Sequence, residues 1–422
     1  MKLTVVGGGS TYTPELVDGF ARLRDILPLT ELSLVDPNRE RLELVAGVSQ
    51  RMFDHADYGV KVTLTSDLRE GAADADAVLF QLRVGGQEAR HKDEIFPHSC
   101  GIIGQETTGP GGFAKALRTV PVMLDVAKTV REAAKKDAWL IDFTNPTGIV
   151  TRALLQHGHR AVGLCNVAIG FQRRFAEMLE VPWHDVQLDH VGLNHLTWER
   201  KVLVRRGDEM IDVLPELIDT RLDELAAQVQ MPGSLIKLLG NVPSYYLRYF
   251  YLHDTVFNEQ QESDTRAHAV AAVEKELLEL YANPSVNTKP EQLTQRGGAF
   301  YSEAAVDLIA SLYSDRGDVQ VVNLRNDGTL PFLPDDHVIE VPAVVNAAGV
   351  TAIPVEPLAP VERGLVAHVA SYERLALEAA ELGGYDRVVK ALLANPLVGT
   401  YEKSEKLAAD LIAANRDYLR WA

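Results

Sequence analysis

The strand, glycine-rich turn and helix at the N-terminus limit most narrowly how this chain can fold. An apolar run over residues 2–6 leads into GGGST at residues 7–11, and a helix is predicted from Pro14. This order is typical of the first unit of a doubly wound α/β sheet, in which backbone N–H groups and the helix dipole face a pyrophosphate. Tyr12 stands where the usual G-x-G-x-x-G pattern has its third glycine. The pattern predicts a Rossmann-like fold whose phosphate-binding residues are Gly7, Gly9, Ser10 and Thr11.

Asp36 selects the nucleotide that such a turn would bind. It follows the second predicted strand, at residues 32–35, in the part of the motif where an acidic side chain accepts a hydrogen bond from an adenosine ribose. A carboxylate at this position disfavours a 2′-phosphate. We therefore expect NAD rather than NADP, with a glycine turn that binds no nucleotide as the alternative.

Charge and cysteine content exclude several classes of partner. The 422-residue chain has a formal net charge of −17, which argues against nucleic acid or an anionic membrane as a partner. Two cysteines do not make a disulfide framework. Neither a signal peptide nor an apolar run of membrane length is recognisable. These features predict a cytoplasmic protein.

Cys165 and His195 lie at two further predicted strand ends. Cys165 belongs to GLCN, after a short apolar run, and His195 belongs to GLNH, after an alternating run. Open α/β sheets bind their ligands at strand ends, and a thiolate with an imidazole suits a first-row transition metal better than magnesium. A lone cysteine is more often a small buried hydrophobe. A metal site and ordinary packing therefore both stay open.

Other polar residues also follow predicted strands or lie in irregular segments. Arg90 belongs to a basic cluster after the fourth strand, and Asn145 follows the strand at residues 139–143. Residues 99–112 contain five glycines, so we expect a loop there, with Glu106 as its one acid and a helix from residue 117. Tyr246 lies in a tyrosine-rich segment at residues 243–252, where helical spacing predicts that Tyr246 and Tyr249 share a face and that Tyr245 points elsewhere. As alternatives to functional roles, the basic cluster would be a solvated helix face and the tyrosines would pack in the core.

The second half of the chain has a different pattern of predicted elements. An antiparallel strand is predicted at residues 197–205, and helices are predicted over much of residues 211–281 and near the C-terminus. The expected fold class is α/β. We expect a Rossmann-like doubly wound sheet that binds NAD at residues 1–165, and a mainly helical α+β domain docked on it at residues 166–422.

Taken in order, the motifs resemble one enzyme family. GGGSTYTP, LVDP, RVGGQEARHKDE, GQETTGPGG, FTNPTG, GLCN, GLNH and YLRYF follow one another as in the NAD- and metal-dependent family-4 glycoside hydrolases. Among these, the chain most resembles the 6-phospho-β-glucosidases. The motifs cover about the first 270 residues. The remaining residues are similar to the family in length and in their general sequence pattern.

The resemblance implies glycoside cleavage without the usual pair of carboxylates. NAD⁺ takes hydride from C3 of the sugar, and the resulting ketone acidifies the C2 hydrogen. A base removes that proton, the aglycone leaves C1 by elimination, water adds, and NADH reduces C3 again. A divalent metal, with manganese as the leading expectation, binds the C2 and C3 oxygens as a Lewis acid.

The resemblance also implies a role for each matching residue. Cys165 and His195 match metal ligands. Tyr246 matches the C2 base, and Glu106 matches a residue that tunes that base. A guanidinium fork suits a phosphate dianion. The residues that match sugar- and phosphate-binding positions are Arg90, Asn145 and Arg266.

Asn166 bears on the stereochemistry of the substrate. Relatives that cleave α-linked sugars have an aspartate after the metal-binding cysteine as general acid, and an asparagine is not able to donate a proton in that way. The resemblance therefore implies a β-linked substrate near Asn166, either a phosphorylated disaccharide or an aryl 6-phospho-β-glucoside. It also implies a homodimer or homotetramer, and it assigns metal binding, substrate binding and oligomerisation to the domain at residues 166–422. An NAD-dependent dehydrogenase of 2-hydroxy acids and a non-catalytic NAD sensor remain as alternatives.

Overall fold

A single sheet runs through both halves of the molecule. The computed structural model describes residues 1–296 and 300–422. The strands of this part of the chain are β1 (Lys2–Val6), β2 (Glu31–Val35), β3 (Lys61–Thr65), β4 (Ala77–Phe80), β5 (Trp139–Asp142), β6 (Ala161–Gly163), β7 (Val186–Leu193), β8 (Leu196–Arg206), β9 (Glu209–Asp212), β10 (Val242–Pro243), β11 (Asp318–Arg325), β12 (Val338–Asn346) and β13 (Gly349–Ala352).

Helices cover the sheet and build most of the second half. They are α1 (Thr13–Arg22), α2 (Arg39–His55), α3 (Leu68–Ala72), α4 (Gly86–Ile95), α5 (Gly109–Ala133), α6 (Thr147–Gln156), α7 (Val167–Leu179), α8 (Leu214–Thr220), α9 (Leu222–Val229), α10 (Gly233–Leu239), α11 (Arg248–Tyr251), α12 (His253–Glu262), α13 (Arg266–Ala282), α14 (Leu293–Arg296), α15 (Tyr301–Ser314), α16 (Pro360–Leu382), α17 (Tyr385–Leu393) and α18 (Tyr401–Asn415). Short 3-10 helices occur at Phe96–Cys100, Trp183–Asp185, Tyr245–Leu247 and Arg416–Tyr418. None of the described helices is long and apolar enough to cross a membrane.

The first six strands confirm the Rossmann-like prediction. They are parallel and lie in the order β3-β2-β1-β4-β5-β6, which is the order of a dinucleotide-binding fold. β4 and β5 are buried along their whole length because helices cover both faces of the sheet. Phe80 on β4 and Phe113 on α5 are fully buried, and each such side chain contributes roughly 2 kcal/mol through burial.

The sheet does not stop where the parallel strands end. β11 pairs with β6 in antiparallel orientation, and β12, β7, β8 and β10 follow in that order. β13 and β9 pair with β12 and β8. The second half is therefore joined to the first by backbone hydrogen bonds as well as by packed helices. The boundary predicted between residues 165 and 166 falls after β6, and it stays a prediction.

The glycine-rich segment at residues 99–112 is less irregular than its composition predicts. It contains the end of a 3-10 helix, a loop and the first turn of α5, which begins at Gly109 and not at residue 117. Pro110 occupies the first turn, where its missing N–H costs nothing. A Cβ atom on Gly111 would lie 2.4 Å from the Gln105 carbonyl oxygen. Glycine clusters are typical of loops, so the sequence predicts a loop here. In the structure, these glycines instead allow close backbone packing inside a helix.

Candidate active site

A cavity of about 1370 Å³ lies over the carboxyl ends of the central strands. It extends from the glycine turn after β1, past β4 and β5, to the turn after β6, and α13 lines one side of it. Most of the residues predicted as functional line it, namely Gly7, Gly9, Ser10, Asp36, Arg90, Glu106, Asn145, Asn166, His195, Tyr246 and Arg266. Thr11 and Cys165 are buried and are not among its lining residues.

The glycine turn is shaped by its neighbours in the sheet. The N–H groups of Gly7 and Gly8 donate to the Val35 carbonyl oxygen over 2.9 Å each, and Gly7 has a φ of +89° that favours glycine. Asp36 accepts a 3.1 Å hydrogen bond from the Gly9 N–H. A Cβ atom on Gly9 would lie 2.8 Å from the Asp36 carboxyl carbon. The turn therefore holds Asp36 against its backbone, in the cavity wall where the sequence predicts a ribose contact.

Thr11 and Tyr12 serve the packing of this turn. Thr11 is fully buried, and its carbonyl oxygen accepts a 2.7 Å hydrogen bond from the hydroxyl of Tyr281 on α13. Tyr12, at the third glycine position, packs edge-on against Tyr301 with ring centroids 6.1 Å apart. The departure from the glycine pattern thus places an aromatic ring between the turn and α15.

Three cations surround the carboxylate of Glu106. Lys115 donates to it over 2.7 Å, Arg90 lies 3.3 Å from it, and Arg83 is hydrogen-bonded to it. Burial raises the pKa of Glu106, but the three cations outweigh burial and hold that pKa well below its usual value. Burial lowers the pKa of Lys115 to about 7 despite the opposing effect of Glu106. The cluster keeps Glu106 ionised inside the cavity.

This cation cluster has the charge that an anionic ligand requires. Glu94 pairs with Arg90 over 2.7 Å, so the two acids Glu94 and Glu106 oppose the three cations Arg83, Arg90 and Lys115. Arg266 lines the same cavity from the start of α13, and its guanidinium donates to the Gln295 carbonyl oxygen over 2.7 Å. A positively charged end in a protein of net charge −17 matches the predicted phosphate site.

His195 lies in the two-residue turn between β7 and β8. Its φ is +63°, a left-handed conformation that costs a non-glycine residue about 1 kcal/mol or more and that clusters at functional sites. Its Nδ1 lies 3.0 Å from the Thr107 hydroxyl oxygen. Burial lowers the pKa of His195 to about 4. The imidazole is therefore neutral near pH 7, which is the form that binds metals.

Cys165 follows β6 and lies close enough to Tyr246 to add to the effect of burial, which raises the pKa of that tyrosine. The Cys165 side chain is buried, and burial, with a smaller contribution from Glu340, raises the pKa of the thiol to about 12. A metal ion would displace that proton, since thiolate is the binding form. Within residues 1–296 and 300–422, no three His, Cys, Asp or Glu side chains form a complete metal site. A metal here would have Cys165 and His195 as protein ligands and would need further ligands from a substrate or water.

Tyr246 is stacked on His195. Their ring centroids are 3.7 Å apart and the rings are nearly parallel, at 9°. Tyr245 and Tyr249 both pack edge-on against Tyr246, at 5.9 Å and 6.1 Å, so all three rings meet in one cluster. Helical spacing predicts a separate direction for Tyr245, but Tyr245 and Tyr246 lie in a 3-10 helix. Burial raises the pKa of Tyr246 well above its ordinary value.

Several residues at this site were missed in the sequence. Lys115 and Glu340 interrupt apolar runs, FAKAL and VIEVP, and that isolation is a signal of a buried charge. Glu340 accepts a 2.8 Å hydrogen bond from the side chain of Asn194, which precedes His195. Thr107 gave no signal, because it is one of several small polar residues in the glycine-rich segment.

Comparison with known proteins gives the same result in both halves of the chain. The model described as family 4 glycosyl hydrolase matches residues 2–181. The model of the C-terminal domain of that family matches residues 190–398. Together they span most of the described molecule, including the cavity and its metal-binding candidates.

Individual relatives extend over nearly the whole length. A probable 6-phospho-beta-glucosidase of Bacillus subtilis is 40% identical, with 99% of this chain and 97% of the relative covered. The solved structure of a Thermotoga maritima 6-phospho-beta glucosidase with manganese, NAD⁺ and glucose-6-phosphate has 35% identity and a TM-score of 0.92, with 99% of each chain covered. A 6-phospho-alpha-glucosidase from gut microorganisms with NAD and glucose-6-phosphate has 26% identity and a TM-score of 0.90, again with 99% of each chain covered. This chain therefore belongs to the family 4 glycosyl hydrolases, as its motifs predict.

Proposed function

We propose that the protein hydrolyses 6-phospho-β-glucosides by NAD-dependent oxidation at C3, deprotonation at C2 and β-elimination of the aglycone, with a divalent metal. The stacking of Tyr246 on His195 carries this proposal. It brings a proton acceptor beside a candidate metal ligand in the same cavity as the glycine turn. A simple displacement at C1 has no use for that combination, whereas deprotonation next to a carbonyl is favoured by a base and a Lewis acid acting together.

The residues fit the two groups that the reaction needs. The cavity is lined by the turn at Gly7 and Gly9, where a Cβ atom would collide with Gln81 or Asp36, and Asp36 lies in position for a ribose. Cys165 and His195 offer sulfur and nitrogen donors, which suit a first-row transition metal better than magnesium. Manganese is our first choice because the structure of the Thermotoga relative contains it. When bound, NAD⁺ supplies reversible hydride exchange, and the metal supplies Lewis-acid polarisation of the sugar oxygens.

The remaining steps are assigned to the chain's own side chains. Tyr246 accepts the C2 proton. Burial raises the pKa of Tyr246, and the positive charge of Arg90 opposes that rise. Arg90 and Arg266 bind the phosphate. Arg83 and Lys115 add positive charge beside Arg90. Glu106 tunes the base, because its negative charge raises the pKa of Tyr246. Asn145 and Asn166 line the cavity where hydroxyl groups of the sugar would lie.

Asn166 supports a β-linked substrate. An amide does not act as a general acid at working pH, so departure of the aglycone takes its proton from another group or from water. The greater identity to the Bacillus and Thermotoga β-type relatives than to the α-type relative agrees with this assignment. The substrates we propose are phosphorylated disaccharides and aryl 6-phospho-β-glucosides.

We place the enzyme in the cytoplasm as a homodimer or homotetramer, again as a proposal. Reduced Cys165 is needed for metal binding, and the cytoplasm keeps thiols reduced. Exposed apolar side chains near the C-terminus, such as Leu382 and Tyr401, offer surface for contact between subunits. Sedimentation analysis of the purified protein would measure the subunit number directly.

Hydrolysis of nitrophenyl 6-phospho-β-glucoside, with and without NAD⁺, Mn²⁺ and reductant, tests the function. We expect full activity only when all three are present, no net accumulation of NADH, and little turnover of the α-linked or unphosphorylated substrate. Stoichiometric NADH release from a 2-hydroxy acid without metal would support a dehydrogenase instead. Binding of NAD⁺ without turnover of any glycoside would support a sensor.

A further inference from the structure

We infer that Gln105 and Thr107 form a hydrogen-bond relay that fixes the tautomer of His195, with the proton on Nδ1 and the lone pair of Nε2 available to the metal. The inference rests on the proposed metal site at Cys165 and His195. It assigns positioning roles to two residues that do not touch the metal themselves.

The relay starts at the side-chain amide of Gln105, whose orientation is settled by its neighbours. The backbone N–H groups of Thr107 and Thr108 point at one atom of that amide, over 2.5 Å and 2.7 Å. A backbone N–H only donates, so the atom must be the carbonyl oxygen and not the nitrogen. Gln105 Oε1 therefore carries no hydrogen and acts only as an acceptor.

The Thr107 hydroxyl is the second step. Its oxygen lies 2.7 Å from Gln105 Oε1, and two oxygens at this distance need one hydrogen between them. Because the amide oxygen has none, Thr107 must donate its only hydroxyl proton to Gln105. Its oxygen keeps its lone pairs and is left as an acceptor toward any other partner.

His195 is the third step. Its Nδ1 lies 3.0 Å from the Thr107 oxygen, which has no proton left to give. His195 must therefore donate from Nδ1, and a neutral imidazole that is protonated at Nδ1 has its lone pair on Nε2. The imidazole is stacked on Tyr246, which restricts rotation of the ring. The proton position and the ring orientation are thus set by different neighbours.

Such partners matter because a metal binds only the nitrogen that carries the lone pair. Histidine ligands of metals commonly donate their other N–H to an acceptor, and removal of that acceptor typically weakens metal binding by 10- to 100-fold. In the described structure, His195 has no carboxylate within hydrogen-bonding distance. The Thr107 hydroxyl is the acceptor of its N–H instead. The glycine-rich segment thereby acts on the metal site as well as on the cation cluster.

Mn²⁺ affinity of the full-length protein, measured by electron paramagnetic resonance with Mn²⁺ alone, tests the relay. Thr107→Val removes the hydroxyl at constant shape, and we expect about 10-fold or greater loss of affinity. Thr107→Ser restores a hydroxyl and should stay within about 3-fold of wild type. Thr108→Val is the matched control, since Thr108 contributes only its backbone N–H to Gln105, and it should bind Mn²⁺ like wild type. Thr107→Ala replaces Thr107→Val if the latter fails to fold.

Cys165→Ser separates the failure of the relay from failure of the metal site. If it leaves Mn²⁺ binding unchanged, the metal site is wrong and the relay is overturned with it. If it abolishes binding while Thr107→Val keeps wild-type affinity, the relay alone is overturned. Equal losses in Thr107→Val and Thr107→Ser, or in Thr107→Val and Thr108→Val, would also overturn it, because a general disturbance of the segment would then explain both.

Discussion

Removal of one oxygen atom from Tyr246 separates its catalytic role from its packing role. Tyr246→Phe keeps the ring that stacks on His195 at 3.7 Å and that meets Tyr249 edge-on. The unfolding free energy should change by about 1 kcal/mol or less, the usual net value of one hydrogen-bonding group. Loss of a general base lowers kcat by about 100-fold or more, which corresponds to a barrier higher by about 2.7 kcal/mol. Catalysis should therefore suffer far more than stability.

The assay is hydrolysis in D₂O, followed by mass or NMR analysis of the sugar. In the wild-type reaction, deuterium should appear at C2, because the proton removed there exchanges with solvent before it is returned. Tyr249→Phe is the matched control, since it removes a buried hydroxyl from the same cluster but away from the cavity lining. Unlabelled product would refute elimination, and near-normal kcat in Tyr246→Phe would refute the assignment of the base.

Three further outcomes follow from the same structure. Asp36→Asn should lower the preference for NAD⁺ over NADP⁺, measured as a ratio of kcat/KM, by about 10-fold or more, because a repulsive carboxylate is removed. Asn166→Asp should raise turnover of α-linked relative to β-linked 6-phosphoglucosides, measured with nitrophenyl substrates; an unchanged ratio would contradict the role of Asn166. Burial lowers the pKa of His190, but Glu199 and Glu340 outweigh it and raise that pKa to about 10. The stability from this charge is complete below about pH 6.5 and is lost as pH rises toward 10. The stability gap between wild type and His190→Gln in urea should therefore be at least about 1.4 kcal/mol larger at pH 6.5 than at pH 10.

Some parts of the site were predictable because a short stretch of sequence is enough to recognise them. The turn at Gly7 and Gly9 was recognisable because its glycines lie directly between a predicted strand and a predicted helix. Asn145 and Cys165 follow apolar runs that are recognisable as strands. Parallel strands then bring such ends to one edge of the sheet.

The remaining parts depend on contacts between distant segments. Glu340 and Asn194 are 146 positions apart and meet only because β12 pairs with β7. Lys115 faces Glu106 because α5 begins at Gly109, earlier than its glycine content indicates. The meeting of Tyr245 with Tyr246 depends on a 3-10 turn that the apolar pattern does not encode. Pairing and local helix type are decided by the packed molecule, and one sequence does not specify them by periodicity alone.

The unbroken sheet has a mechanical consequence. The glycine turn after β1 and Cys165 after β6 are separated by β4 and β5, which amounts to three strand spacings, or about 14 Å. Backbone hydrogen bonds between the strands keep this distance constant, and the two ends do not move relative to each other as they would across a hinge. A dinucleotide anchored at the turn would have to stretch across two strand ends to reach a sugar at the cysteine. The working distance between the two reactants is then a property of the scaffold, present before either of them binds.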